Sequence, residues 1–226
     1  MQGEGAIHFD SNDPKALEHI VERYRVIAER LCFQYGVKPK EISTVVQDVF
    51  IKVDQKIKRQ EPGSLSSWFY HVVIRTLREY ESKQKKAKKI GRALDEPISY
   101  GYYLENHGHI SIQDALAKLD NKYKLPLILN HYHDIKLEDI STILKMNQET
   151  ITKRIQQGEN LLSDSYKEAA TKNPYLVDKF EAVFRDLNYR YQLLPEFTST
   201  VDIMTRVEQS RKRIIGKNIL LLLERS

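Results

Sequence analysis

An all-α fold is what this chain predicts, and three observations carry it. Apolar residues recur at spacings of three and four through most of the sequence. Strand-like alternation is hard to find, and glycine and proline are few, at 9 and 7 of 226 residues. That length suits one large domain or two to three small ones. The net charge of +5 and the pI of about 9.0 make the chain basic without being extreme. Along most helices Lys and Arg mix with Asp and Glu, the pattern of a solvated face. Only the run from Lys83 to Arg92 and the group from Arg206 to Lys217 are strongly one-signed. Such patches attract a phosphate backbone by releasing its counterions.

The elements follow in order. Residues 1–10 read as a loose end. Asp13 is a good N-cap with Pro14 at the first helical position, and Leu17, Val21, Tyr24, Ala28 and Leu31 form one stripe that Gly36 ends. Pro39 starts a second helix with Ile42, Val46, Val49, Val53 and Ile57 on its core side. Its other face shows Ser43, Thr44, Gln47 and Asp48. After a loop with Pro62, Gly63 and Ser64, a third helix is predicted to bury Trp68, Val72, Leu77 and Tyr80. It gathers His71, Arg75, Arg78 and Ser82 on a polar face and runs out into Lys83, Lys85, Lys86, Lys88, Lys89 and Arg92. Together these make a first domain over residues 11–89. Residues 90–110 hold three glycines, one proline and Tyr100, Tyr102 and Tyr103 without a sustained period. They read as a linker whose aromatics dock on something.

The second domain, residues 111–167, contains the most informative stretch, LEDISTILKMNQETITKRIQQGENLL. It reads as helix, tight turn, helix. Leu137, Ile140, Ile143 and Leu144 share a face, Lys145 and Met146 turn, Asn147 caps, and Ile151, Ile155 and Leu162 return to the core. That phase leaves Gln148, Glu149, Thr152, Lys153 and Gln156 outward, as in a helix-turn-helix that enters a DNA major groove. An ordinary helical hairpin has the same apolar pattern. In the segment 173–226, Leu176, Phe180, Val183, Phe184, Leu187 and Leu194 outline an amphipathic helix. Ile203, Met204 and Val207 suggest another, and Ser210 is placed to cap a last one with Ile214, Ile215, Ile219 and Leu222. This has the outline of a further helix-turn-helix, or of a hairpin docked on the rest.

Other chemistry finds little support. The lone Cys32 excludes an intrachain disulfide and reads as a small core residue. His107 with His109, and His131 with His133, alternate and so do not share a helix face, and no second cysteine completes a soft site. Asp114, Asp120, Asp134, Glu138 and Asp139 read as solvated positions on amphipathic helices. No phosphate loop or nucleophile elbow is present. No catalytic residue, metal or cofactor is expected. Tyr70 suits either packing or stacking. The start lacks a signal-peptide apolar region, and the longest apolar run, Ile219 to Leu223, falls well short of the roughly 20 residues of a membrane span. A cytoplasmic protein with no membrane insertion is expected.

The order of blocks resembles a bacterial RNA polymerase sigma factor of the extracytoplasmic-function group, a two-domain branch of the sigma-70-like family. EISTVVQDVFIKV resembles its region 2.2, SSWFYHVVIRTLREYESK its regions 2.3 and 2.4, and the stretch from Leu119 to Leu162 its region 4. The resemblance implies that Gln47 and Asp48 contact the β′ coiled coil of core polymerase. It implies that the loop from about Lys58 to Ser66, with Ser64 and Ser66, captures a flipped −10 base. His71, Arg75, Arg78, Lys83, Lys85 and Lys86 would complete the −10 contacts. Gln148, Glu149, Thr152, Lys153, Arg154 and Gln156 would read the −35 element, with Arg154 on phosphate or paired within the domain, and region 4 would contact the β flap. Residues 90–110 match a segment that threads near the polymerase active centre. Promoter DNA, core polymerase and an anti-sigma protein are the implied partners. The sequence also departs from the family. Ser43 and Thr44 stand where an acidic pair is usual, and Arg75 where Asn is usual. Lys145 stands near a frequent Gly, Thr152 near a frequent Lys and Gln157 near a frequent Arg. A polymerase-independent helix-turn-helix regulator and a sigma-like interaction protein are the alternatives. The segment 173–226 is an addition to the minimal two-domain pattern.

Overall fold

Helix α1 (Ala16–Tyr35) places Leu17, Val21, Tyr24, Ala28 and Leu31 in the core, with Cys32 fully buried beside them. Gly36 stops it at φ 101°, a conformation that costs glycine nothing and any other residue a Cβ clash. A three-residue turn leads to α2 (Pro39–Ile57), which buries Ile42, Val46, Val49, Val53 and Ile57 as the spacing predicts. In this computed structural model residues 15–57, 64–90 and 100–223 are described, with side chains to residue 217. The loose start and its Asp13–Pro14 helix signal, the loop residues Lys58 to Gly63, Arg92 and the side chains of Ile219 and Leu222 lie outside that set.

Helix α3 (Leu65–Lys89) starts on Ser64, whose hydroxyl accepts from the Ser67 amide at 3.2 Å. Two of the four expected positions, Val72 and Leu77, are buried, and Trp68 and Tyr80 are not. Phe69, Val72, Val73, Thr76 and Leu77 are the buried set, and Trp68 and Tyr80 are half-buried at its rim. The reason is that α3 is covered on two sides. Phe69 packs between Tyr24 and Phe50, with ring centroids at 4.6 and 5.7 Å. Tyr70 and Ile74 turn the other way, into the second half of the chain.

That half holds α4 (His107–Lys118), α5 (Asn121–Leu127), α6 (Leu137–Leu144) and α7 (Gln148–Lys172). Helix α4 begins four residues upstream of the expected boundary, capped by Asn106 on the Gly108 and His109 amides. The segment before it docks as its aromatics suggest: Tyr100 is buried edge-on against Phe33 at 5.4 Å, and Tyr103 follows at 5.6 Å. Tyr102 alone stays in solvent. Helix α5 contains Pro126 and widens at its end into a π-helical turn, Ile128–Tyr132. The α6–α7 pair is the predicted helix-turn-helix. Lys145 is its αL hinge at φ 55°, and Asn147 caps α7 by accepting from the Thr150 amide at 2.8 Å.

The last segment differs from expectation. Helix α8 (Phe180–Gln192) buries Phe180, Val183, Leu187 and Tyr191, while Leu176 and Leu194 lie outside it. Thr200–Leu223 is then one continuous helix, α9. Ser210 lies inside α9 and caps nothing, so no second helix-turn-helix exists. Every side chain from 200 to 210 suits a helix interior, and no Pro or Gly interrupts the chain before Gly216, so propagation continues at low cost.

Two substitutions test these backbone solutions. Lys145 holds a left-handed conformation that disfavours any Cβ by about 1–2 kcal/mol. Lys145→Gly should therefore stabilise the chain by roughly 0.5–1 kcal/mol, after the extra unfolded-state freedom of glycine. Urea unfolding followed by circular dichroism measures it, and a loss of stability would contradict the hinge. Asn147→Ala should cost about 1 kcal/mol in the same experiment.

Candidate nucleic-acid interface

Helix α7 presents Gln148, Glu149, Thr152, Lys153 and Gln156 to solvent on one face, while Ile151, Ile155 and Leu162 are buried behind them. Lys153 is held to Glu149 at 2.6 Å, an exposed i, i+4 pair that a competing phosphate can displace at small cost. Arg154 is half-buried and directs its guanidinium at the Met146 sulfur at 2.7 Å, so within this structure it steadies the turn. Thr152 returns its hydroxyl to the Gln148 carbonyl at 3.0 Å.

On α3 the polar face also forms as expected. His71, Arg75, Arg78, Ser82, Lys83, Lys85 and Lys86 are exposed, and Ser66 is half-buried. Ser64 spends its hydroxyl on the helix cap. Arg78, Ser82, Lys85, Lys86 and Lys89 line an open groove of about 370 Å³ together with Glu81. Burial raises the Glu81 carboxyl, but hydrogen bonds from Lys85, Tyr35 and Asn121 outweigh it and hold the group below its ordinary value. The groove is therefore cationic at its rim and anchored by one ionised carboxylate. Arg75 pairs with Glu79 at 3.2 Å, and Glu79 also receives Lys52 at 2.5 Å, which lowers its pKa.

On α2 Thr44 is exposed, and Ser43, Gln47 and Asp48 are half-buried. The Gln47 amide donates to Ser43 at 3.4 Å. Asp48 lines a second groove with Glu41, Thr44, Lys52 and Lys83, between α2 and α3.

What sequence reasoning missed is the joint between the two halves. At the end of α1 the Gly36 amide returns to the Phe33 carbonyl, and α4 and α5 supply further donors to the last carbonyls. Gln113, fully buried, donates to the Phe33 carbonyl at 3.1 Å and the Gln34 carbonyl at 3.5 Å. Buried Lys124 donates to the Tyr35 carbonyl at 3.1 Å and to Ala117 at 2.6 Å, with Tyr35 beneath its ammonium at 4.5 Å. One cation thus meets two helix C-termini, where the backbone dipoles favour it. Burial still drags its pKa down to about 8. His133 finishes the joint. Its Nε2 donates to the Gln34 side-chain oxygen at 2.8 Å, and its Nδ1 accepts the Tyr70 hydroxyl at 2.9 Å. Burial, helped by Arg30, pushes the imidazole down to about 3, so it is neutral. His71 bonds the Ile143 carbonyl of α6 at 3.3 Å, so an expected −10 reader touches the helix-turn-helix. A usable signal was the phase of Gln113 beside Ile112 and Leu116, and of Lys124 four before Ile128: polar residues at core positions.

The other histidines also have structural partners. His109 meets Asp186 of α8 at 3.0 Å, and His131 meets Glu159 of α7 at 2.5 Å. No cluster of three or more metal-ligating side chains occurs among the described residues. No helix among them is long and apolar enough to cross a membrane.

A helical bundle is thus joined to a helix-turn-helix, and each presents a cationic or polar face to solvent. Residues 20–87 match the Sigma-70 region 2 family. The chain is 28% identical over 134 residues to the RNA polymerase sigma factor SigV of Bacillus subtilis strain 168, covering 59% of this chain and 80% of that one. Among solved structures, the sigma factor RpoE of Bartonella quintana, in complex with the anti-sigma factor NepR, superposes with a TM-score of 0.53 at 20% identity. It covers 68% of this chain and 98% of that one. CnrH, in complex with the cytosolic domain of CnrY, gives 0.52 at 17%, covering 68% and 89%. These two share the fold. The chain is thus similar to RNA polymerase sigma factors, and its residues 20–87 match region 2 of the sigma-70 family.

The buried neutral His133 gives the joint a pH signature. Its folded pKa lies below the unfolded value near 6.5, so its contribution is complete above that pH and is lost as pH falls toward 3. Between pH 6.5 and 5 the loss is about 2 kcal/mol. Replacing His133 with Gln should flatten the decline in urea-measured stability from pH 7 to 5. An equal decline in both proteins would remove the assignment.

Proposed function

We propose that this protein is a promoter-recognition subunit that binds core RNA polymerase and directs initiation at −10 and −35 elements, with no catalytic step of its own. The observation that carries the reading is the capped α7, which presents Gln148, Glu149, Thr152, Lys153 and Gln156 on one open face in a chain whose first domain is a sigma region 2. In this reading residues 11–89 form the region 2 unit, 90–110 the linker, 111–167 the region 4 unit and 173–226 an added module. Gln47 and Asp48 on α2 dock on the β′ coiled coil, and region 4 reaches the β flap. The loop before α3, with Ser64 at the helix cap and Ser66 in the first turn, holds the flipped −10 base. His71, Arg75, Arg78, Lys83, Lys85 and Lys86 track the adjacent strand. Base edges give selectivity and phosphates give affinity, so the two faces do different work. Because Thr152 and Gln157 replace residues that are often cationic, −35 binding leans on base-edge and shape readout. An anti-sigma protein is a fitting regulator, as NepR is of the RpoE relative. The protein works in the cytoplasm, where polymerase is.

Run-off transcription with core polymerase on a genomic promoter library tests the reading. Defined start sites that require the added chain are expected; binding to DNA with no dependence on polymerase would assign a free-standing regulator instead. On a selected promoter, alanine at Gln148 or Gln156 should cost about 1–3 kcal/mol and relax preference at one −35 position. Alanine at both Gln47 and Asp48 should weaken binding to core without unfolding the chain, as a direct affinity measurement and circular dichroism would report.

A further inference from the structure

The segment after α7 touches both sigma-like units. Helix α8 fastens to the second one: Asp186 pairs with buried His109, and buried Tyr191 donates its hydroxyl to Gln113 at 2.5 Å. Gln113 is the residue that caps α1, so α8 bonds to the joint itself. The connection to α9 then crosses onto the first unit. The Thr198 amide donates to buried Glu29 of α1 at 3.0 Å, and Arg25 donates to the Thr198 carbonyl at 2.9 Å and to Glu196 at 2.6 Å. Phe197 lies over Phe33. Helix α9 buries Ile203 and Val207 against α1 and α2, and farther on Arg211 makes a two-pronged ion pair with Asp54 of α2, its Nε at 2.9 Å.

These anchors fix the course of α9. Pairing of α1 and α2 about their short turn puts Glu29 level with about Val45. Helix α9 therefore starts near that level and runs along α2 to Asp54. Gln47 and Asp54 are seven positions apart, two helical turns, and so lie on one flank of α2. Asp54 keeps only 14% of its side-chain exposure, and Gln47 is half-buried. The flank that α9 follows is the one carrying Gln47. The joint imposes a second restriction. A −10 and a −35 element lie roughly 25 base pairs apart, or roughly 80 Å along the duplex. In this structure α3 touches the helix-turn-helix through His71 and Ile143 and the turn before it through Tyr70 and His133, far too close to reach both elements.

We propose that residues 173–226 are a built-in strap: α9, latched by Arg211 on Asp54, covers the Gln47 flank of α2, and α8 holds the two promoter-reading units together. The strap rests on the sigma reading above, because it shades the helix that reading assigns to polymerase. The apparent affinity for core is then the intrinsic affinity reduced by the fraction of chains with α9 lifted.

The test uses the full chain in three forms, with deuterium uptake of the α9 amides and direct core affinity as separate readouts. Arg211→Glu should raise α9 uptake and tighten core binding on the order of tenfold. The exchanged pair Asp54→Arg with Arg211→Asp should return both toward wild type. Asp54→Cys with Arg211→Cys, bridged by a short reducible bis-maleimide, should lose core binding and regain it on reduction; Cys32 is fully buried and does not compete for the reagent. Unchanged α9 uptake in Arg211→Glu, a lifted α9 with no gain in affinity, or a bridged chain that binds core as well as wild type would each overturn the strap. If neither the Arg211→Glu nor the wild-type chain binds core at all while α9 lifts normally, the sigma reading itself fails, and the strap falls with it.

Discussion

Three carbonyls at the end of α1 decide how the halves of this protein meet. A helix terminus buried without donors costs about 1–3 kcal/mol for each orphaned group. A Cβ on Gly36 would come within 2.8 Å of Ala117, so α4 lies directly against the turn. Gly36 returns its amide to Phe33, and Gln113 and Lys124 of the second domain supply the remaining donors. Once those bonds form, Tyr70 and His133 face one another, Glu81 meets Asn121, and the helix-turn-helix has one place to sit.

The joint is polar where an ordinary domain core is apolar. Each member has a partner within the network: Gln113 bridges α1 to Tyr191, Lys124 bridges two helix ends, and neutral His133 bridges Gln34 to Tyr70. Such a network holds firmly when complete and loses much when one member leaves. A surface of this kind suits two units that must pack in one state and separate in another, because its groups can return to water in a way that large apolar faces cannot.

The polar faces of α7 and α3, by contrast, owe little to the joint. Helix α7 would present Gln148, Thr152 and Gln156 from any well-capped helix-turn-helix, since Ile151, Ile155 and Leu162 fix its rotation. The cationic rim of α3 likewise follows from local phase. Tertiary structure changes their availability rather than their chemistry. His71 is drawn to Ile143, Arg154 turns to Met146, and Gln47 is half-buried on the flank that α9 follows.

The sequence by itself determined most of the helices, the hinge with its Asn147 cap and the outward face of α7, because these depend on residues within a few turns of one another. Periodicity and capping are local, and they survive any packing of the whole. It placed Val72 and Leu77 of α3 correctly but put Trp68 and Tyr80 in the core and missed Phe69, because two-sided burial widens a stripe that a single-sided reading keeps narrow. It divided α9 at Ser210, because a serine that can cap a helix can also sit inside one, and only the continuing hydrogen-bond ladder distinguishes the two. Nothing local marked Lys124, Gln113 or Arg211 as partners of residues 89, 80 and 157 positions away. Those pairings exist because α1 ends where its carbonyls need donors and α9 runs where Asp54 needs a cation, and the path of the chain in three dimensions decided both.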